Sequence, residues 1–435
     1  MVHCRTLTIS ALLCCSTAGG LVAQQRAVTL ADAIRRSEQV QPDVVRAAGD
    51  VRTAGARRRS ALGAFLPTVS ASSSASDFFS EGESRVDPVT GLVISGNRSN
   101  RSLSTSLSAS VDLFTGFRRG AEMRAARANE NAADASLVDA RFQQALTTTN
   151  QFLDALAAAQ LLRVRETSVR RAEEQLKVSV AKLRAGSATR SDSLRSLVTL
   201  GNARLDQLTT QTDLAAAEAN LARLVGETGR VQAVDDSSFY VVLPVLDSQA
   251  LRAEVESKSP RVQSAAAAAA ASRATVKASR SSYWPSLALS ANTGWNGNQV
   301  NDYDLVNQRQ VSLALRWNLF DGFDRELTIV QREADLDVAE ANASDAKRAV
   351  QADLELRLAE MDAATARIGI TQTSVVAARE DLRVQQERYR LGASTIVDVL
   401  TSQEALNQAE VDVVNARFDY LRAKAQLEAL IGRKL

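Results

Sequence analysis

Residues 102–117 read Ser-Leu-Ser-Thr-Ser-Leu-Ser-Ala-Ser-Val-Asp-Leu-Phe-Thr-Gly-Phe. Leu103, Thr105, Leu107, Ala109, Val111 and Leu113 alternate strictly with five serines and Asp112. A period of two is that of a β-strand, whose successive side chains point to opposite faces. Val311, Leu313, Leu315, Trp317 and Leu319 alternate in the same way with Ser312, Ala314, Arg316 and Asn318. Leu287, Leu289, Ala291, Thr293 and Trp295 make a third such segment, and serine-rich Thr68 to Asp77 a weakly patterned fourth. Segments of about ten residues suit tilted transmembrane strands with one lipid face and one polar face. A soluble sheet with one wet face fits the alternation equally well. Phe114, Trp284, Trp295, Trp317 and Phe320 near the strand ends favour a membrane aromatic belt.

These strands sit inside an internal duplication. Leu66-Pro67-Thr68-Val69 recurs as Trp284-Pro285-Ser286-Leu287 and Pro42 as Pro260, both offset by 218. Leu113-Phe114-Thr115-Gly116-Phe117 recurs as Leu319-Phe320-Asp321-Gly322-Phe323, Gly186 as Gly392, Asp192 as Asp398 and Gly226 as Gly432, all offset by 206. The 12-residue difference therefore falls between Pro67 and Phe114. Phe78 to Asn100, rich in Ser, Gly and charge, is expected to be an exposed hairpin loop. The boundaries read as residues 24–226 for the first repeat, 227–247 for a linker containing Pro244, and 248–435 for the second.

Each repeat reads helix, strand, strand, long helix, helix. Phe117 to Arg184 and Phe323 to Arg390 hold no proline, so each predicts a helix of roughly 100 Å at 1.5 Å per residue. The segments from Thr29 to Ser60 and Ser191 to Leu224 together match one such length, so stacked pairs can lie beside unbroken helices. In the last helix Val399, Leu406, Ala409, Val413, Ala416, Tyr420, Ala423, Leu427 and Leu430 recur at steps of three and four, a heptad seam that slips only at Ser402. Gly186 and Gly392 follow the long helices where a residue of positive φ reverses the chain, which predicts two hairpin tips.

Composition removes several function classes. Residues 1–23 carry an apolar run ending in Leu21-Val22-Ala23 and read as a secretory signal. His3, Cys4, Cys14 and Cys15 are the chain's only histidine and cysteines. An exported product therefore lacks the side chains for thiol or histidine catalysis, zinc sites and disulfides. Removal of Arg5 leaves 51 basic against 50 acidic residues, no field for nucleic acid. No cofactor, metal site or nucleotide-binding loop is expected, and Glu173-Glu174 and Asp235-Asp236 read as solvated charges. No run approaches the ~18 apolar residues of a spanning helix, so membrane entry has to use strands.

The mature sequence is similar to the outer-membrane efflux protein family, typified by the TolC exit duct. The similarity is carried by Thr29-Leu30-Ala31-Asp32-Ala33-Ile34, Leu66-Pro67, Leu319-Phe320-Asp321-Gly322, and above all Arg388 to Leu400. It implies a mixed α and transmembrane β fold: a homotrimer in which each subunit adds four strands to a twelve-stranded β-barrel and antiparallel helices to an α-barrel. It implies a passive, non-enzymatic exit duct in the Gram-negative outer membrane with a periplasmic helical domain, serving efflux or type I secretion. Its partners on this reading are outer-membrane lipid, a periplasmic adaptor (membrane fusion) protein and an inner-membrane pump of RND or ABC type. A coiled-coil structural or adhesive surface protein is the alternative; it leaves the strands and paired tips unexplained.

The resemblance also assigns residues. Leu183, Ala185, Gly186, Ser187, Asp192, Leu391, Gly392, Ala393 and Ser394 fall at the adaptor-docking tips. Asp398, with Tyr389 and Thr401, falls at the pore constriction, where an acidic ring is expected to favour cations. Thr401 stands where the family carries a second Asp, and Ser394 where it carries an Arg. Asp398 suits a helix cap as well as a gate, and Asp192 reads as a helix cap.

Overall fold

The computed structural model describes residues 26–94, 98–236, 248–297 and 305–435. The signal segment 1–23 and Pro244 lie outside the described residues. The first repeat runs β1 (Arg26–Val28), α1 (Leu30–Val40), α2 (Pro42–Gly63), β2 (Thr68–Ser80), β3 (Arg85–Val86), β4 (Val93–Ile94), β5 (Arg98–Phe114), α3 (Arg118–Arg184), α4 (Arg190–Val225) and β6 (Val231–Ala233). The second runs α5 (Ser248–Lys258), α6 (Pro260–Ser279), a 3-10 turn, β7 (Ser286–Gly297), β8 (Val306–Arg316), α7 (Asp324–Arg390) and α8 (Ile396–Ile431).

The opening helix of each repeat is two helices rather than the one expected. Gln41 takes φ −70° and ψ 132°, because a residue before proline is pushed out of the α region. Pro42 then starts α2 at a position where its missing N–H costs nothing, and Pro260 starts α6 the same way. The long helices begin one residue later than expected. Phe117 and Phe323 adopt positive φ of 65° and 69°, each after a glycine that also has positive φ. Edge-on ring contacts hold them there: Phe117 meets Phe114 and Trp284 with centroids 5.4 and 5.9 Å apart, and Phe323 meets Phe320 at 5.5 Å. The first residues of the expected linker are also structured, since β6 pairs in parallel with β1.

The four long strands form one antiparallel sheet in the order β2-β5-β7-β8. Its register places Ser70, Ser72, Ser74 and Ser76 opposite Ser108, Ser106, Ser104 and Ser102. Their hydroxyls meet across the strands at 2.7–2.8 Å, and Ser290 meets Ser312 at 2.7 Å. This ladder supplies the specificity that the weak alternation of β2 lacked. The opposite face carries Val69, Leu103, Leu107, Val111, Leu287, Leu289, Val311, Leu313 and Leu315. Strands β2 and β8 are the two edges and have no further partner among the described residues.

Helices α3 and α4 form one antiparallel hairpin and α7 and α8 another; α6 lies between α3 and α7, and α2 beside α3. At 67 residues, α3 and α7 each extend about 100 Å. Buried alanines, among them Ala155, Ala172, Ala222 and Ala416, let the axes approach closely. Where α1, α3, α4 and α8 meet, Phe152, Leu221, Val231 and Phe418 form the largest core cluster. No helix among the described residues is long and apolar enough to cross a membrane.

Candidate functional site: the strand wall and the hairpin tips

The strand-to-helix junctions gather the expected aromatics. Trp284, Trp317 and Phe320 are largely exposed there, Phe114 closes β5, and Trp317 Nε1 donates to the Tyr283 carbonyl at 3.3 Å. Trp295 lies at the far part of the sheet opposite Asn307, with exposed Phe78 and Phe79 beyond it. From Trp284 to Trp295 the chain rises roughly 30 Å for strands tilted near 40°, close to the apolar thickness of an outer membrane. Two aromatic levels thus bracket a band that is apolar on one face and hydroxyl-lined on the other.

Sequence reading missed the residues that lock these junctions. Arg119 reaches back over the Phe65 ring at 4.9 Å and donates to the carbonyls of Ala64 and Leu113 at 3.3 Å. Arg325 does the same in the second repeat, over Tyr283 at 4.7 Å and onto the carbonyls of Asn318 and Leu319. Both pairs obey the repeat offsets, which was the available signal: 119 to 325 is 206, and 65 to 283 is 218.

At the opposite end, 67 residues away along each long helix, the hairpins turn over. Ser187 N–H donates to the Lys182 carbonyl at 2.9 Å and Gly186 N–H to that of Leu183 at 3.0 Å. Ala393 and Gly392 repeat this toward Arg388 and Tyr389 at 2.7 and 3.1 Å. This double closure needs a left-handed residue after the helix, and Gly186 and Gly392 have φ of 70° and 80°. Ala185, Ser187, Leu391 and Ala393 are exposed around the turns, Leu183 is half-buried, and Ser394 donates to the Gln385 carbonyl.

Thr189 and Thr395 cap the returning helices. Each hydroxyl accepts the N–H of Asp192 or Asp398 at 3.3 Å, and each carboxylate accepts the threonine N–H at 2.8 or 2.9 Å. The Thr-x-x-Asp spacing is a legible capping-box signal. Asp398 is thereby engaged locally, and the Thr395 N–H and hydroxyl, with Arg388 beside it, hold its carboxyl below the usual range. Asp398 and Thr401 remain exposed on α8.

Tyr389 departs from the expectation. Its side chain is 6% exposed, packed with Leu382, Ile396, Val399 and Leu406, so it faces the protomer's interior and not an open lumen. Lys182 lies over its ring at 4.3 Å and donates to its carbonyl, tying one hairpin tip to the other. A second tie is Arg171 of α3, which reaches Glu410 at 2.6 Å and Asn407 at 2.7 Å on α8. Between α4 and α8 runs a mostly apolar groove of about 930 Å³, lined by Leu194, Arg195, Val198, Val397, Leu400 and Thr401.

Comparison with known proteins gives this geometry its context. Residues 33–227 and 251–433 match the model of the outer membrane efflux protein family. The pyoverdine export outer membrane protein OpmQ of Pseudomonas aeruginosa is 25% identical over 342 residues, 78% of this chain and 71% of that one. The outer membrane protein TolC of Escherichia coli is 22% identical over 345 residues, 76% of this chain and 70% of its own. The crystal structure of CusC superposes with a TM-score of 0.79 at 18% identity, covering 93% of this chain and 92% of that one, a likeness of fold. The paired repeats, the membrane-facing sheet and the family match lead to one conclusion: the chain belongs to the outer membrane efflux protein family and is an outer-membrane exit duct whose helical part lies in the periplasm.

Proposed function

We propose that the chain works as a homotrimeric passive conduit of a tripartite efflux or type I secretion assembly. The observation that carries this is the pair of open sheet edges, β2 and β8, on a sheet whose one face is apolar. Four strands cannot close on themselves, since about eight are needed, and open edges are not tolerated in lipid. Three copies joined β8 to β2 give twelve strands, with the apolar face toward outer-membrane lipid and the serine ladder toward the lumen. The long hairpins then carry the conduit across the periplasm, and Asp398 and Thr401 line its narrow end. Energy and cargo choice belong to an inner-membrane pump of the RND or ABC class, and no catalytic step is assigned to this chain.

The tips are the docking ends for a periplasmic adaptor. Their small residues around Gly186 and Gly392, and the apolar groove between α4 and α8, suit close contact with a helical hairpin. Gly392→Trp is expected to abolish adaptor crosslinking and export while trimers persist. The oligomer itself is tested by light scattering of the detergent-solubilised protein, where a water-soluble monomer overturns the proposal. The β2–β5 connection, ending in the small β3–β4 ribbon, faces the exterior on this reading. An epitope inserted at Gly91 is expected to be labelled on intact cells.

A further inference from the structure

The hairpin tips carry an uneven charge. Between residues 181–195 and 387–401 lie six cations, Lys182, Arg184, Arg190, Arg195, Arg388 and Arg390, against three carboxylates. Each carboxylate is already engaged: Glu387 pairs with Arg390 at 3.0 Å, and Asp192 and Asp398 sit in their capping boxes. Arg184, Arg190 and Arg195 have no ion-pair partner among the described residues and are exposed, as is Arg388, which lies beside Asp398.

Most of these cations have a local explanation. Lys182, Arg184, Arg388 and Arg390 lie in the last turns of α3 and α7, where positive charge complements the helix dipole. Arg190 and Arg195 have none. They occupy the first turns of α4, the positive end of its dipole, where a cation is locally unfavourable. Their counterparts in the second repeat are Ile396 and Thr401, so the repeat does not require them. Arg195 also lines the groove facing α8, on the wall opposite Val397, Thr401 and the single carboxylate of that groove, Glu404, with which it makes no ion pair.

We propose that the tips form a net-positive periplasmic mouth, with Arg190 and Arg195 its deciding cations, and that this mouth admits anionic solutes in preference to cations. The inference rests on the trimeric conduit reading and deepens it by naming the charge class of the cargo. Threefold symmetry triples the excess around one axis, and a mouth with low-dielectric walls focuses that field. The barrel does not cancel it, since the serine-laddered face adds one Asp112 and one Arg316 per protomer over Ser102–Asp112, Ser286–Asn296 and Val306–Arg316, and Arg98 further along β5 is in register with that face. Asp398 does not reverse it, because its carboxylate, ionised and bonded to the Thr395 N–H, is already one of the three set against the six cations.

The test is the reversal potential of purified trimers in neutral-lipid planar bilayers under a gradient of dilute KCl, where screening is weak. The wild type is expected to pass chloride over potassium by about threefold or more, an order-of-magnitude expectation for a focused surface field. Arg190→Gln with Arg195→Gln is expected to bring the ratio toward one with conductance retained. A cation-selective or unselective wild type overturns the proposal. An unchanged ratio in the double variant also overturns it, and if adaptor crosslinking is lost at the same time the cations serve an acidic protein surface instead. Absence of any conductance sinks the conduit reading along with this one.

Discussion

Glu227 accepts the Arg36 guanidinium at 2.6 Å, and the second repeat makes the same contact with its charges exchanged, Arg433 donating to Glu254 at 2.9 and 3.0 Å. The positions correspond by the two repeat offsets, 36 to 254 by 218 and 227 to 433 by 206. Each pair clamps the end of a returning helix, α4 or α8, to the short helix that opens its repeat. Geometry rather than sign is what the fold retains.

Exchanging one pair should therefore be tolerated where reversing one member is not. Glu227→Arg places a third cation beside Arg36 and Arg26, and is expected to lower stability by about 1–2 kcal/mol, a partly screened effect. Adding Arg36→Glu is expected to restore most of it. Thermal unfolding of the detergent-solubilised oligomer checks both; equal destabilisation by the single and double changes refutes the clamp.

The glycines at the helix ends separate into two kinds. A Cβ on Gly432 lies 2.9 Å from Pro260 Cδ at a φ of 81°, whereas one on Gly392 at 80° meets nothing within 4 Å. Gly392→Ala is expected to cost about 1–2 kcal/mol of backbone strain alone. Gly432→Ala is expected to cost about 1–3 kcal/mol more from overpacking. Similar melting temperatures for the two variants refute the difference.

The two faces of the sheet should respond oppositely to charge. Leu107→Arg on the apolar face is expected to cost about 2–4 kcal/mol near mid-membrane. Ser106→Arg on the adjacent hydroxyl face loses one hydroxyl contact, with Ser72 at 2.8 Å, and is expected to cost about 1 kcal/mol while altering conductance. Refolding yields into lipid vesicles and single-channel currents report the two effects. An equal loss from both refutes the assignment of lipid and lumen faces.

The second tip should loosen in acid. The Asp398 carboxyl is held below its ordinary 3.8 by bonds from Thr395, so its contribution is present above that value and lost as pH falls through the lower folded one. Amide exchange at the start of α8 is expected to accelerate below about pH 3.8 in the wild type, and Asp398→Ala to remove that acid dependence. Thr395→Ala is expected to weaken the cap by about 1 kcal/mol at neutral pH. Acid acceleration that persists in Asp398→Ala points to another carboxylate.

The sequence by itself determined the element types, the duplication and the hairpin turns, because these follow from local rules. Ser102 to Leu113 alternates, Gly186 and Gly392 end helices, and two offsets align the halves. The capping role expected of Asp192 and Asp398 is shared in the structure with Thr189 and Thr395, the N-cap residues, while each aspartate closes the box from three residues on. The tertiary structure alone decided where side chains separated by many residues meet. Tyr389 carries the same local pattern whether it faces a lumen or lies under Lys182, and only the packing of α7 against α8, with Lys182 of α3 laid over the ring, buried it. Phe117 looked like the first residue of a helix, and stacking on Phe114 and Trp284 holds it in a left-handed turn instead. Strand β2, weak in alternation, gained its place from serine hydroxyls supplied by β5, at least 26 residues away in sequence. Such contacts depend on which surfaces the fold brings together, and no single segment encodes its partner's face.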